Sequence, residues 1–150
     1  MMSTKAPCEN PNNAMTDFRR VTDQLSVSPQ IGMADIEAAA AQGFRTIINN
    51  RPDGEDPTQP TSAQVEAAAR AAGLAYFHIP VRGGPTPEQV EATERLLDEA
   101  EAPVLAFCRS GTRSIVTWAL AQFQADARPR DELVELGRQA GYDLAGLLPR

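Results

Sequence analysis

Cysteine, histidine and long apolar runs are what this sequence has least of. It holds two cysteines, Cys8 and Cys108, and a single histidine, His78. Two cysteines so far apart in the chain do not make a disulfide framework. With one histidine beside them, no zinc constellation can be read, and the chain is expected to work without a metal or cofactor. No apolar run approaches the roughly 20 residues needed to cross a bilayer. The polar N-terminus, Met1 to Asn13, has no apolar centre of the kind a secretory signal needs, so the cytoplasm is the expected location. Positive charge is also in short supply. A formal net charge of −6 argues against non-specific binding to nucleic acid or an anionic membrane. A small anion is still admissible, because a local cluster of amides and arginines outweighs distant, screened charges.

What is present fits one α/β domain. A chain of 150 residues can bury a sizeable core, and a hydrophobic content of 42% is ordinary for a globular protein. Residues 1–15 are expected to form a flexible tail and residues 16–150 a single domain. Cys8 sits in the Pro/Asn-rich part of that tail and is read as a bystander rather than a resolving thiol. No internal repeat is visible.

Taken in order, Phe18–Val21 and Gln24–Ser28 read as two short strands or a hairpin, with Asp23 at the turn. From Met33 the apolar positions Met33, Ile36 and Ala40 recur at helical spacing until Gly43. Arg45–Asn49 is a β-branched, buried strand. A loop dense in turn residues, Asn50–Pro60, leads to Thr61 and Gln64, a capping-box pair that opens an alanine-rich helix closed by Gly73. Ala75–Ile79 is a second core strand. After the Arg82–Pro85 loop, Thr86, Pro87 and Gln89 start a helix that runs to about Glu101, with Val90, Leu97 and Ala100 on its buried side. Pro103–Phe107 is the third core strand. Helices over Arg113–Ala125 and Asp131–Ala140 follow, then Gly141 and an apolar tail of Leu144, Leu147 and Leu148. Strands separated by helices imply right-handed crossovers and a central, mainly parallel sheet flanked by helices. Ligands bind at the carboxyl ends of such strands, so the Asn50–Pro60, Arg82–Pro85 and Cys108–Arg113 loops should share one edge.

The third core strand ends abruptly in Cys108-Arg109-Ser110-Gly111-Thr112-Arg113-Ser114. Strand, tight turn and helix start read as one unit. Several backbone N–H groups converge at such a junction, and the helix dipole adds partial positive charge. A cysteine there is expected to act as a thiolate, the reactive form. Arg113 adds a fixed cation, and Gly111 lets the backbone turn where a side chain would obstruct it. Cys108 and Arg113 are therefore the candidate catalytic pair. Arg109, Ser110, Gly111, Thr112, Ser114 and, from the neighbouring loop, Arg51 are the candidate substrate contacts. Arg51 can equally pair with Asp53 or Glu55. His78 alternates with Tyr76 in a strand pattern and reads as a hydrogen-bonded structural residue. Trp118 and Phe123 read as core.

Two enzyme classes build such a cradle. In cysteine-dependent phosphatases the loop is one residue longer, its amides and arginine wrap a phosphoryl group, and the cysteine becomes phosphorylated. In rhodanese-type sulfurtransferases the shorter loop carries a persulfide. Here Ser114 occupies the register of the phosphatase arginine and cannot pair bidentately with a phosphoryl group. A phosphatase of this type also needs a general acid to protonate its leaving alcohol. The loop Val81–Pro85, where that acid would lie, holds no carboxylate; Asp53, Glu55 and Asp56 on the next loop are the substitutes available. Both counts favour sulfur transfer over phosphoester hydrolysis. A non-catalytic module binding an anion or a persulfide is the third reading.

The stretches Gln24–Gln30, Ile47–Glu55, His78–Val81 and Cys108–Ser114 resemble the phosphatase-like domain of beta-lactamase-hydrolase-like proteins. The resemblance spans about Phe18 to Gly146. It implies a fold like that of dual-specificity and tyrosine phosphatases, here with a rhodanese-like Cys-x4-Arg loop, with Cys108 as nucleophile and Arg113 as anion-binding arginine. Members are described variously as phosphatases and as sulfurtransferases, and some are fused to a metal-dependent persulfide dioxygenase whose histidine-rich motifs this sequence does not contain. A persulfide dioxygenase is thus the partner the resemblance suggests. The expected activity is a cysteine-dependent sulfurtransferase that takes sulfane sulfur from a small sulfur-containing anion or persulfide and passes it to a thiol or cyanide. The alternative is a phosphatase acting on a phosphoester through phosphocysteine.

Overall fold

Val104, Leu105, Ala106 and Phe107 are buried at every position, the pattern of a strand covered on both faces. The computed structural model describes residues 16–149 and places this strand, β5, in the middle of a five-stranded sheet. The others are β1 (Arg19–Arg20), β2 (Leu25–Ser28), β3 (Thr46–Asn49) and β4 (Ala75–His78), in the order β1-β2-β5-β3-β4. β1 pairs antiparallel with β2, and every other pairing is parallel. The sheet is thus mainly parallel, and the first two strands form the expected hairpin. Cys8 and the expected tail lie outside the described residues.

The helices are α1 (Met33–Ala41), α2 (Ser62–Ala71), α3 (Pro87–Glu99), α4 (Thr112–Gln124) and α5 (Arg130–Gln139). Both capping boxes form: Thr61 and Thr86 accept from the amides of Gln64 and Gln89, whose side chains reach back to the cap amides. The helix expected to reach Glu101 stops at Glu99, because Ala100 is extended and Ala102 precedes a proline. Met33, expected on the apolar face of α1, is 42% exposed, and Ile36, Ala38 and Ala39 are the residues that α1 buries.

Alternation along the strands builds two cores. Ile47 and Phe107 face α1 and α2, packing with Ile36, Val65 and Tyr76. Ile48 and Ala106 face the other way, with Ile115, Trp118, Leu133 and Leu144. Trp118 is core as expected, and Phe123 is partly buried against it. Of the apolar tail, Leu144 and Leu148 are buried but Leu147 is 50% exposed. No helix among the described residues is long and apolar enough to cross a membrane. The chain enters β5 last, between β2 and β3, so the residue after it emerges at the edge between those two strands. That residue is Cys108.

Candidate functional site

The carboxyl edge is stitched by backbone bonds before any side chain is considered. The amide of Cys108 donates to the Ser28 carbonyl at 3.4 Å, Asn50 to Phe107 at 2.8 Å, and Gln30 to Arg109 at 3.2 Å. Beyond β4, the amides of Ile79 and Val81 donate to Asn49 and Asn50, both at 2.9 Å. The three loops expected to share one edge therefore do.

Cys108 is fully buried at the base of this edge and is a free thiol. Its Sγ accepts the Gly111 amide at 3.1 Å, a bond that steadies negative charge on sulfur. Gly111 precedes α4 with φ of 93°, a conformation natural to glycine. Space demands glycine as well, since a Cβ there would lie 2.1 Å from Tyr142 Oη. Tyr142 Oη donates to the Ser110 carbonyl at 2.9 Å, and the Arg19 guanidinium lies 5.2 Å from the Tyr142 ring centre. Tyr142 thus clamps the cysteine loop from the far end of the chain. The sequence reading missed it among the leucines of the tail; an aromatic residue directly after Gly141 was the available signal.

Arg113, half-buried in the first turn of α4, donates twice to Glu55, Nη1 at 2.8 Å and Nη2 at 2.9 Å. Nη1 also donates to the Val81 carbonyl at 2.8 Å. The guanidinium also engages the Cys108 side chain. Glu55 raises the Arg113 pKa further above its already high value against the opposing effect of burial, and Cys108 acts in the same direction as Glu55. Glu55 itself is drawn down to about 2, chiefly by the Arg113 hydrogen bonds, which outweigh the opposing effect of burial, with a further lowering by Arg51.

Arg51 is buried, donating from Nε to Glu55 at 2.9 Å and from Nη1 to Gln30 Oε1 at 2.9 Å. Of the two partners open to it from sequence, it takes Glu55. Its own amide is held by Asn49 Oδ1 at 2.8 Å, and His78 Nε2 donates to its carbonyl at 2.9 Å, so His78 has the structural role expected. The structure therefore sets Arg51 behind Glu55 and Arg113 in front of it. Arg109, Ser110 and Thr112 are exposed on the loop, with Ser110 Oγ donating to Thr112 Oγ1 at 3.0 Å. Ser114 is buried, and its Oγ has no hydrogen bond among the described residues.

The three carboxylates weighed as general acids are all engaged. Glu55 is an ion held by two arginines. Asp53 Oδ1 accepts the Ser62 amide at 2.7 Å. Asp56 Oδ1 accepts the Thr58 amide at 2.8 Å and hydroxyl at 2.7 Å, bonds that lower its pKa. A group of three or more His, Cys, Asp or Glu side chains able to hold a metal is absent among the described residues.

A parallel sheet delivering a cysteine into a glycine-turned, arginine-closed loop at a helix start defines an α/β protein of the tyrosine and dual-specificity phosphatase-like class. Residues 17–125 match the family of the beta-lactamase hydrolase-like protein, phosphatase-like domain, and the chain belongs to that family. A beta-lactamase hydrolase-like protein of Agrobacterium fabrum is 39% identical over 126 residues, 83% of this chain but 29% of that protein's length. This chain therefore spans under a third of the curated relative it matches. A solved candidate phosphatase from Neisseria meningitidis is 37% identical, with a TM-score of 0.77 over 87% of this chain and 92% of that one. The structure of Tk-PTP in its active form covers 85% of this chain and 86% of its own, with a TM-score of 0.66 at 18% identity, a likeness of fold alone.

Two predictions follow from the clamp and the arginine pair. Gly111→Ala should cost about 2 kcal/mol or more in urea unfolding, from left-handed strain plus the Tyr142 contact. Adding Tyr142→Phe should recover part of that loss, so the two changes will couple; strict additivity would contradict the clamp. For Glu55, a folded pKa of about 2 against an ordinary 4.5 means that its contribution is full above about pH 4.5 and is lost as the pH falls towards 2. Stability measured across that interval should fall less steeply in Glu55→Gln than in the parent, and equal slopes would contradict the pairing.

Proposed function

We propose that this protein is a cysteine-dependent phosphatase of the aryl-phosphate type. The observation that carries the reading is Cys108 Sγ receiving the Gly111 amide at 3.1 Å, in a loop closed by an Arg113 that Glu55 holds rigid. Membership of a phosphatase-like family and likeness to a candidate phosphatase support phosphoester chemistry over sulfur transfer, which the sequence alone put first.

In the proposed reaction the Cys108 thiolate attacks phosphorus. The S–P bond forms as the P–O bond to the leaving group breaks, and the electron pair departs on that oxygen. The loop amides and the Arg113 guanidinium meet charge on the phosphoryl oxygens, and the positive end of α4 adds to them. Water then attacks phosphorus, the S–P bond breaks, and phosphate and the thiolate are released. With Glu55 fixed as an anion, and Asp53 and Asp56 tied to local amides, none of these three carboxylates is poised to protonate the leaving oxygen. The substrate is therefore one whose leaving oxygen is stable unprotonated, as a phenolate is.

Two specific observations keep sulfur transfer as a second reading. The loop has four residues between Cys108 and Arg113, and thiosulfate releases sulfite without needing an acid. Under this reading Cys108 attacks the outer sulfur, the S–S bond breaks with its electrons on sulfite, and an acceptor thiol or cyanide collects the sulfane sulfur.

Steady-state hydrolysis of an activated aryl phosphate tests the proposal. Cys108→Ser should abolish turnover, while Asp53→Asn and Asp56→Asn should each stay within about threefold of the parent, far from the roughly hundredfold that loss of a general acid costs. A hundredfold loss in either aspartate variant would contradict the acid-free mechanism. Thiosulfate-to-cyanide transfer that needs Cys108, with no aryl-phosphate turnover, would replace the proposal with the second reading.

A further inference from the structure

Ion pairing among the described arginines is nearly complete. Arg19, Arg20, Arg45, Arg51, Arg70, Arg95, Arg113, Arg128, Arg130 and Arg138 each have a carboxylate partner. No lysine lies among the described residues. Arg82 and Arg109 alone make no ion pair among those residues, and both are exposed. They are not scattered over the surface. Arg109 directly follows Cys108, and its carbonyl is fixed by the Gln30 amide at 3.2 Å. Arg82 directly follows Val81, a fully buried residue whose carbonyl takes Arg113 Nη1 at 2.8 Å and whose amide donates to Asn50 at 2.9 Å. Each guanidinium therefore rides on a backbone stem locked into the catalytic edge.

The carboxylates of the neighbouring loop have partners of their own. Glu55 is shared between Arg51 and Arg113, and Asp56, which feels the charge of Arg109, is bonded to Thr58. In a chain of net charge −6, whose overall field repels anions, two arginines without an ion pair, on stems that adjoin Cys108 and Val81, offer positive charge where the rest of the surface is paired. The reacting anion has its own contacts in the loop amides and in Arg113, which is only 18% exposed. The exposed pair is placed for a group further out on the same molecule.

We infer that Arg82 and Arg109 form a rim that selects substrates carrying a carboxylate in addition to the group that reacts at Cys108. The substrate class is a low-molecular-weight acid or a short acidic peptide. Neutral esters enter the same cradle without the help of the rim. The inference rests on Cys108 being the nucleophile, and it holds for either chemistry above, because the rim reads the part of the substrate that does not react.

Alkylation of Cys108 tests the rim without any turnover. Alpha-bromohexanoate and alpha-bromoadipate share chain length and reacting carbon and differ only in a distal carboxylate. Each rate is divided by the rate with neutral iodoacetamide, which corrects for the reactivity of the sulfur itself. The parent should prefer the dicarboxylate, and Arg82→Gln and Arg109→Gln should each reduce that preference about two- to fivefold, the range of an exposed charge pair. The double variant, and high salt, should erase it. A parent without preference, or a double variant that keeps it, overturns the rim while Cys108 still reacts with iodoacetamide. A Cys108 inert to iodoacetamide overturns the nucleophile and the rim together, so the two failures are told apart. A free acid and an acidic peptide are separated by protection: adipate and a short glutamate peptide are each titrated against iodoacetamide labelling. Protection by at least one of them is required.

Discussion

Glu55 is the tie on which the arrangement around Cys108 depends. One carboxylate takes Arg51 from behind and Arg113 from the front, at distances of 2.8 to 2.9 Å. Arg51 in turn reaches Gln30 beyond β2, and Arg113 reaches the Val81 carbonyl beyond β4. Loops from four separate strands thus converge on one ion, with Cys108 between them. Burying two cations at one edge is costly unless each has a partner in good geometry, and a bidentate carboxylate provides it. The same pairing that holds Arg113 in place removes Glu55 from acid–base chemistry, because a carboxyl held near 2 has no proton to give at neutral pH.

The tyrosine clamp works on the same loop from another direction. Tyr142 follows Gly141, where the chain turns after α5, and its amide bonds the Gly137 carbonyl at 2.8 Å. Gly137 leaves no room for a Cβ against the fully buried Leu144. Packing of the C-terminal segment onto α5 therefore sets where the Tyr142 hydroxyl lies, and hence the path of Ser110 and Gly111. Fold and site are joined here by close packing, in the way Glu55 joins them by charge.

Much of this was legible in the sequence because it is local. Caps, glycine stops and the strand run Val104–Phe107 are short-range signals, and Cys108, Gly111 and Arg113 fall within a single turn of chain. The convergence of three loops followed from the topology alone. What could not be read was which partner meets which over long separations. Glu55 lies 58 residues before Arg113, on a loop with two competing aspartates, and only the fold selects among them. Tyr142 is 32 residues from the carbonyl it holds. Met33 fits the helical period yet is exposed, since periodicity reports a face and not what covers it.

The central claim is that Cys108 carries a phosphoryl group during turnover. Acid-quenching the protein during reaction with an aryl phosphate and measuring its intact mass tests this most directly, with Cys108→Ser alongside. The account predicts a gain of one phosphoryl group, mapped to Cys108 and absent from the variant. No phosphoryl gain, together with a gain of one sulfur atom at Cys108 after incubation with thiosulfate, would contradict it.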